Sequence, residues 1–267
     1  MTLDVLISTH APEGIQRVEQ MGLPHVDGVR YIVSWQRHAD TSVPPSLASR
    51  SDVEIYRLSQ PGLSRNRNNA MDHSTADIML MADDDLVYTP EGLRSIIIAF
   101  EQRPSMLIAS FMYAGEDAKK YPASECTLDH LPKGFYQSAI EIAVRRCAAT
   151  ATLRFSPDFG LGSERWPVGE DTIFMLSARH RGITPVFIPL VICTHRGLST
   201  GNRPITDPRM MSGIGACIAL EYPYTAPLRI PLKAWREYRA RRMSLLPALF
   251  HMTAGALRAT LSLKKPW

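Results

Sequence analysis

Three consecutive aspartates, Asp83, Asp84 and Asp85, are the residues whose type and spacing most directly indicate chemistry. They follow the apolar run 78–82, which has the length of a buried strand rather than of a helix. Adjacent carboxylates repel one another, and Mg²⁺ or Mn²⁺ is a natural countercharge because such cations take carboxylate oxygens together with substrate phosphates. The alternative is a solvated acidic turn before a helix that begins at Thr89-Pro90-Glu91.

A basic, amide-rich segment, Gly-Leu-Ser-Arg-Asn-Arg-Asn-Asn-Ala-Met over residues 62–71, precedes the aspartates. Ser64 is a natural helix cap, and Arg65 and Arg67 would then stand at a helix start, where the dipole disfavours cations. An anionic or nucleobase ligand would offset that penalty. A solvated polar helix is the alternative.

A second acidic position, Glu170-Asp171, opens a helix predicted at 172–180. The two carboxylates either complement the helix dipole or include a general base aimed into a cleft. Before them, Gly160 and Gly162 indicate a sharp turn or a close approach to a ligand. The Trp166 indole either offers a platform for a sugar ring or packs in the core.

His195 follows a predicted strand at 186–193. A lone histidine is more often structural than a ligand. At a strand end, however, it would meet the acidic rim of the sheet described next. The glycine- and proline-rich stretch 197–215 then has the composition of a lid loop.

Strands and helices alternate through the first 112 residues, which predicts a mostly parallel α/β sheet with helices on both faces. Ligands in such sheets lie beyond the carboxyl ends of the strands. The predicted strands are 3–8, 29–35, 53–58, 78–82 and 106–112, with another at 138–146, where a helix is the alternative. The residues that this topology gathers on one rim are Thr9, Gln36, Arg67 and the three aspartates.

The positive charge of the chain belongs to its last 39 residues. Residues 229–267 hold nine Lys or Arg and one acid, a balance of +8, whereas residues 1–228 sum to −4. A basic helix is predicted at 233–242 and an apolar one, interrupted by Pro247, at 243–263. In the apolar helix, one face at helical spacing would consist of Leu246, Phe250, Thr253, Leu257 and Leu261. A basic segment followed by an amphipathic one suits an anionic membrane surface. Packing on the domain or on a partner subunit is the alternative.

Several classes are disfavoured by the rest of the sequence. The four cysteines form no CxxC pair, which argues against a thiolate zinc site and for reduced thiols in a cytosolic protein. We expect no signal peptide and no spanning helix. The acidic body argues against nucleic-acid binding. The expected location is cytoplasmic, with the basic tail a candidate for peripheral attachment to the inner face of the plasma membrane.

Together these motifs resemble family 2 glycosyltransferases of the GT-A fold, of the type that builds bacterial cell-surface polysaccharides. The resemblance covers roughly residues 3–200 and rests on motifs that occur in the family's order, together with a glycine pair. These are Ser8-Thr9, the 62–70 segment, Asp83–Asp85 as the DxD element, Gly169-Glu170-Asp171 as the ED motif and His195, with Phe159-Gly-Leu-Gly162 before the ED motif.

The resemblance implies a role for each matched residue. Asp85 would be a metal ligand, Asp83 would contact the metal or the ribose, and His195 would complete the metal shell or touch the diphosphate. Asp171 would be the base of an inverting transfer, with Glu170 as an acceptor contact. The remaining nucleotide-sugar residues would be Thr9, His10, Gln36, Ser64, Arg67, Asn68 and Asp84, and the remaining acceptor residues Gly160, Gly162 and Trp166.

The expected function is sugar transfer from a nucleotide-sugar to a hydroxyl of a saccharide or lipid-linked saccharide, with Mg²⁺ or Mn²⁺. Ser34-Trp35-Gln36 stands where members of the family commonly have acidic residues that help to read the nucleobase, so these residues do not identify the base. UDP is the default expectation. The expected domains are 1–228, with a donor half to 112 and an acceptor half from 113, and a basic helical segment at 229–267. A metal-dependent phosphohydrolase and a non-enzymatic basic-tail binding protein are the alternatives.

Overall fold

The computed structural model describes residues 1–115, 119–129, 135–196 and 207–262. Most of the predicted strands are present with nearly the expected bounds. The elements, in chain order, are β1 (Leu3–His10), α1 (Gly14–Gln20), β2 (Val29–Gln36), α2 (Pro45–Ala48), β3 (Val53–Leu58), α3 (Leu63–His73), β4 (Ile78–Asp83), β5 (Leu86–Tyr88), α4 (Pro90–Glu101), β6 (Ile108–Ala114), β7 (Cys126–Thr127), a 3₁₀ turn (Ala139–Glu141), β8 (Ile142–Arg145), α5 (Glu170–His180), β9 (Val186–His195), α6 (Pro208–Glu221), α7 (Ala226–Arg239) and α8 (Leu245–Ser262).

These elements fall into two compact units that alternate along the chain. The first unit comprises the described residues of Met1–Pro61, Arg65–Arg154 and Ala178–Gly197. The second comprises Gly62–Ser64, Phe155–Ser177 and the described residues from 207 onward. The functional halves expected at 112 and 228 stay predictions, because compactness divides the chain at other places.

A mixed sheet forms the first unit, with strand order β3-β2-β1-β4-β8-β6-β9-β5 and with β7 on β9. The pairs β3–β2, β2–β1, β1–β4 and β6–β9 are parallel. The antiparallel pairs join β8, β5 and β7 to their neighbours. Because β8 is antiparallel to both β4 and β6, six strands of the described sheet run in one direction, namely β1, β2, β3, β4, β6 and β9. The prediction of a mostly parallel α/β sheet is therefore confirmed.

The apolar run of β1 explains its central place. Leu3, Val5, Leu6 and Ile7 are all fully buried, because a central parallel strand is covered on both faces. Next to the aspartates, α4 begins as the sequence predicts, since the Thr89 hydroxyl accepts a hydrogen bond from the Gly92 amide at 3.1 Å.

Two expected elements differ from the structure. The strand expected at 138–146 begins with a 3₁₀ turn, because Ser138 and Glu141 form a capping box that starts this turn just before β8. The lid loop expected at 197–215 is wrong in its second half, where Asp207 caps α6 by accepting from the Arg209 amide. Its first part, 197–206, lies outside the described residues.

Helices α6, α7 and α8 share an apolar core in the second unit. Gly215 of α6 and Gly255 of α8 allow close backbone contact, because a Cβ on either would clash with the backbone of Met252 or Ser212 respectively. The expected interruption at Pro247 is wrong: this residue lies in the first turn of α8, where its missing N–H is harmless. Pro231 lies inside α7.

Candidate functional site

The carboxyl ends of β1, β2 and β4 form the rim that the sequence predicts. The parallel register places His10 beside Gln36 and Ser8 beside Asp83. The aspartate triplet therefore begins on the last residue of β4, in line with the end of β1. Its three carboxylates have different partners, and this sorts them into different roles.

Asp84 is anchored to β1 and α1. Its Oδ2 accepts a hydrogen bond from the buried Thr9 hydroxyl and from Arg17 Nε at 3.0 Å. The second branch of the Arg17 guanidinium, Nη2, lies 2.9 Å from the same oxygen and donates to the His10 carbonyl at 3.0 Å. The middle aspartate is thus a structural anchor of the strand ends, and its charge is compensated within the first unit.

Asp83 pairs with the basic segment before it. Arg67 Nη2 donates to Asp83 Oδ1 at 3.1 Å, and the Arg67 side chain is almost wholly buried. On the same helix, Asn66 Nδ2 donates to the Thr9 carbonyl at 2.9 Å, which holds α3 against β1. The buried arginine therefore serves an internal anion, and the partly exposed Asn68 lies next to it.

Asp85 meets His195 across a different pair of strands. Antiparallel pairing of β5 with β9 sets Leu86 beside His195, and the Arg196 amide donates to the Asp85 carbonyl at 3.0 Å. This brings His195 Nε2 within 3.2 Å of Asp85 Oδ2. The other carboxylate oxygen, Asp85 Oδ1, is buried without a hydrogen-bond partner. The prediction that His195 meets the acidic rim is therefore confirmed.

The environment of Asp85 disfavours its negative charge. Burial raises the pKa of Asp85, the neighbouring Asp83 raises this pKa further, and His195 opposes both effects. An acceptor oxygen that is desolvated, unpartnered and close to another carboxylate is stabilised by an added cation.

A divalent cation is compatible with this pair. Carboxylate and imidazole are both donors that Mn²⁺ accepts, and Mg²⁺ or Mn²⁺ in transferases is held by one or two protein ligands and by substrate phosphates. The described part of the chain holds no cluster of three or more His, Cys, Asp or Glu side chains arranged for a metal. Of the three residues expected as metal ligands, Asp85 and His195 lie together, whereas Asp83 is directed to Arg67.

The end of β2 is built from interlocked side chains. Gln36 is buried and its amide donates to the Gln60 carbonyl. Trp35 Nε1 donates to the Ala11 carbonyl at 2.7 Å, and the Arg57 guanidinium lies 5.4 Å from the Trp35 ring centroid. Asn69 Nδ2 donates to the Ser34 hydroxyl at 2.8 Å. Gln36 thus shapes the rim next to His10, which is exposed at the end of β1.

In the second unit, Glu170 and Asp171 occupy the first turn of α5, two residues earlier than the predicted helix start. Acids are favourable there because the helix dipole is positive at its N-terminus. Gly160 lies against Glu170 with φ +101°, and a Cβ at Gly160 would come within 3.2 Å of the Glu170 Cδ. Only glycine combines this backbone angle with such a close approach.

Trp166 belongs to the core of the second unit. Its indole is 2% exposed, stacks on Phe159 with centroids 4.7 Å apart and donates from Nε1 to Ser212 at 3.2 Å. The expectation of an indole platform for a sugar is therefore corrected: the ring is covered because it fills the core around Phe159. Gly162, with φ +80°, lies against the Gly62 backbone and allows the turn that the sequence indicates.

Ser64 also differs from its expected role. It lies inside the first turn of α3, which begins at Leu63, so it is not the helix cap. Its hydroxyl is buried and donates to the Phe159 carbonyl at 2.6 Å. This contact ties two segments of the second unit together, and the hydroxyl is committed to it.

Sequence reasoning missed Arg17, Asn66 and Asn69. Helical periodicity places Asn66 and Asn69 on the same side of α3 as the buried Ala70, which would have identified them as sheet-facing. No local sequence pattern identifies Arg17, because its partner Asp84 is 67 residues away in the sequence.

Comparisons with known proteins agree with this architecture. The family model described as "Glycosyl transferase family 2" matches residues 39–158, which include Arg67 and the three aspartates. A search of the curated proteins finds no significant match.

Among solved structures, similar folds include several of TarS from S. aureus. A crystal structure of TarS has a TM-score of 0.58 and 15% identity, covering 95% of this chain and 55% of that chain. TarS 1–349 in complex with UDP-GlcNAc has a TM-score of 0.56 and 14% identity, covering 97% of this chain and 89% of that chain. TarS 1–349 in complex with UDP has a TM-score of 0.55 and 12% identity, covering 98% of this chain and 92% of that chain.

The chain therefore spans about half the length of the longer TarS structure, at 55%. At these identities the likeness establishes the fold, and the family model matches residues 39–158. The resemblance drawn from the sequence motifs is confirmed over residues 39–158, which match the glycosyl transferase family 2 model, and the α/β sheet is similar to that of the TarS structures.

Proposed function

We propose that this protein is a divalent-cation-dependent, inverting glycosyltransferase. It transfers a sugar from a nucleotide-sugar, by default a UDP-sugar, to a hydroxyl of a saccharide or lipid-linked saccharide in surface polysaccharide synthesis. The family match supports sugar transfer, and the bound UDP-GlcNAc and UDP of the TarS structures support the choice of UDP. A peripheral position on the inner face of the plasma membrane is part of the proposal.

The observation that carries the proposal is the Asp85–His195 pair, at the start of β5 and the end of β9. A carboxylate oxygen 3.2 Å from an imidazole, beside a second buried oxygen without a partner, would provide ligands for a cation whose remaining ligands include oxygens of the diphosphate. When bound, Mg²⁺ or Mn²⁺ neutralises the charge that develops on the departing nucleoside diphosphate.

The other rim residues would position the nucleotide. The Arg67–Asp83 pair at 3.1 Å fixes the side chain that we assign to the ribose or the cation. Thr9, His10, Gln36 and Asn68 would line the nucleotide around it. Asp84 is assigned a supporting role, because its pairing with Arg17 holds the ends of β1 and α1 together.

Asp171 is proposed as the base. A carboxylate in the first turn of α5 would accept the proton of the attacking sugar hydroxyl, so that the oxygen attacks the anomeric carbon from the side opposite the diphosphate. Glu170, packed on Gly160, would hold the acceptor next to it. Attack from the opposite face inverts the configuration at that carbon.

A thermal-shift panel tests the donor class. UDP, GDP, dTDP and CMP, each with and without the sugar and with and without Mn²⁺, are added to the full chain. We expect a rise in melting temperature with UDP ligands that requires Mn²⁺, because a ligand that binds only the folded state stabilises it. The absence of a shift with every nucleotide would contradict the proposal.

The same nucleotide-sugar, incubated with Mn²⁺ but without acceptor, separates transfer from hydrolysis. A transferase leaves most of the donor intact until an acceptor hydroxyl is supplied. Rapid release of sugar phosphate or nucleoside monophosphate without acceptor would instead indicate a phosphohydrolase.

A further inference from the structure

Helix α8 is apolar on two opposite sides. Its inner side, which includes Ala248, Met252 and Ala256, is buried in the core shared with α6 and α7. Its outer face consists of large apolar side chains at helical spacing that the described protein leaves uncovered. This outer face of α8 is Leu246 (77% exposed), Phe250 (69%), Leu257 (56%) and Leu261 (83%). A helix that only packs on its own domain has one apolar side.

Helix α7 repeats this arrangement. Ala226, Ile230 and Ala234 are buried in the same core. Its outer face again carries apolar and aromatic side chains, three of them at the spacing i, i+4 and i+7. This outer face of α7 is Leu228 (77% exposed), Leu232 (47%), Trp235 (47%) and Tyr238 (51%). Indole and phenol rings at half exposure are typical of surfaces that are apolar on one side and wet on the other.

Cations accompany both outer faces. Arg229, Arg236 and Arg239 are exposed on α7, and Arg258 is exposed on α8. The Arg239 guanidinium lies 5.3 Å from the Trp235 ring centroid, so charge and apolar surface are interleaved. Long basic side chains can bury their stems in an apolar layer and keep their charge at its polar edge.

The one acidic residue in the basic C-terminal segment 229–267 is already neutralised by ion pairs. Glu237 is the single Asp or Glu of residues 229–267. It is 3% exposed and pairs with Lys233 Nζ at 2.6 Å and with Arg242 Nη1 at 3.1 Å. The outer faces of α7 and α8 therefore offer cations without any exposed carboxylate from residues 229–262.

This charge distribution discriminates between possible partners. A second copy docking through the same faces would bring the exposed arginines of one chain against those of the other, with no carboxylate from either segment to compensate. An anionic lipid surface supplies the opposite charge and an apolar layer for the leucine, phenylalanine and tryptophan side chains.

We propose that the outer faces of α7 and α8 bind an anionic phospholipid surface in the plane of its headgroups. The apolar side chains enter the acyl boundary, and the arginines contact the lipid phosphates. None of the described helices has the length and apolarity to span a membrane. The inference rests on the peripheral membrane position in the proposed function and names the surface and the lipid chemistry for it. It does not depend on sugar transfer, because lipid binding requires neither nucleotide nor acceptor.

Vesicle co-sedimentation of the full chain tests the proposal. The probes are vesicles of phosphatidylcholine alone and of equal parts phosphatidylcholine and phosphatidylglycerol. We expect binding to the anionic vesicles only, weakened by added salt because screening acts on exposed charges. Equal binding to neutral vesicles, or no binding to either, would overturn the proposal.

Matched variants locate the surface. Phe250→Ser with Leu257→Ser should lower anionic-vesicle binding at least about tenfold, because two inserted apolar side chains are lost. Arg236→Gln with Arg239→Gln should lower it about fivefold per arginine. The control is Ile98→Ser, which removes an apolar side chain that is 49% exposed on α4 of the first unit; this variant should bind like the parent.

Two further measurements, of folding and of oligomeric state, complete the test. All the substituted side chains are exposed, so circular dichroism and the melting temperature should match those of the parent, and any loss of binding is then local. Sedimentation velocity over a range of protein concentrations tests the alternative partner. The lipid proposal would be overturned if the parent protein forms a dimer but does not bind vesicles, and if Phe250→Ser with Leu257→Ser abolishes the dimer. These faces would then be assigned to contact with a second copy.

Discussion

Charged side chains are paired at the strand ends of the first unit, whereas basic side chains are in excess on the helices α7 and α8 of the second unit. At the strand ends, each aspartate meets a basic side chain: Asp83 meets Arg67, Asp84 meets Arg17 and Asp85 meets His195. Residues 229–267 instead carry nine basic residues and one acid, Glu237. Glu237 already forms ion pairs with two of those basic residues, Lys233 and Arg242.

The difference teaches how each region relates to a ligand. Internal pairing fixes the position of Asp83 and Asp84 and leaves one carboxylate, Asp85, with a buried oxygen that has no hydrogen-bond partner. The ligand we propose there is small and tightly positioned. An excess of exposed cations beside apolar side chains requires no fixed geometry, and it suits a fluid, extended anion such as a lipid surface.

Asp85→Ala should give the largest effect, because it removes the carboxylate that we assign to the cation. Calorimetric titration should show loss of the Mn²⁺-dependent part of UDP binding, and transfer should fall by about a thousandfold or more. Asp27→Ala, an exposed aspartate before β2 at the opposite end of the sheet, is the control and should bind UDP normally. Unchanged metal-dependent binding in Asp85→Ala would remove this residue from the cation site.

Asp171→Asn should separate binding from chemistry. We expect UDP affinity with Mn²⁺ to be unchanged and the rate of transfer to fall about 10²–10⁴-fold, because the amide cannot accept a proton. The matched control is Glu164→Gln, an exposed acid outside α5. Full transfer activity in Asp171→Asn would show that another group is the base.

Arg17→Gln tests whether internal pairing positions the rim. It leaves Asp84 without its cation, so we expect about a tenfold loss of UDP affinity, with Arg17→Lys recovering part of it. Arg94→Gln, which breaks an exposed pair with Glu91 on α4, should have little effect. Equal UDP affinity in Arg17→Gln and the parent would argue that Asp84 needs no anchor.

Asp85→Asn should slightly stabilise the ligand-free protein at neutral pH. The pKa of this carboxyl is raised in the folded state, so the folded protein holds the proton more tightly and the ionised group costs stability above the ordinary carboxyl range. As the pH falls through that range, the advantage of the variant should disappear. Melting temperatures from pH 3 to pH 8 check this, and a lower melting temperature of the variant at pH 7 would contradict it.

The sequence predicted the sheet well because buried strands are short, apolar and bounded by polar residues. The strand before the aspartates, for example, is confirmed as β4 with one more residue. The roles of three adjacent identical acids could not be read in this way. They depend on Arg17 and His195, which are distant in sequence and are brought close by strand register and by the packing of α1.

Trp166 marks a second limit. An indole is equally suited to packing in a core and to stacking on a sugar ring. The contacts of Trp166 with Phe159 and Ser212 in the structure show that this indole packs in the core. The outer face of α8 was predicted through the spacing of its leucine and phenylalanine residues. Whether that face was buried or exposed required the packing of α6 on its opposite side.

The most direct test of the central claim is pulsed electron paramagnetic resonance of Mn²⁺ bound with UDP to protein labelled with ¹⁵N-histidine. Our account predicts a ¹⁵N coupling from one histidine ligand to Mn²⁺, which disappears in His195→Gln. Bound Mn²⁺ with no nitrogen coupling, or with a coupling that survives in His195→Gln, would contradict the proposed Asp85–His195 cation site.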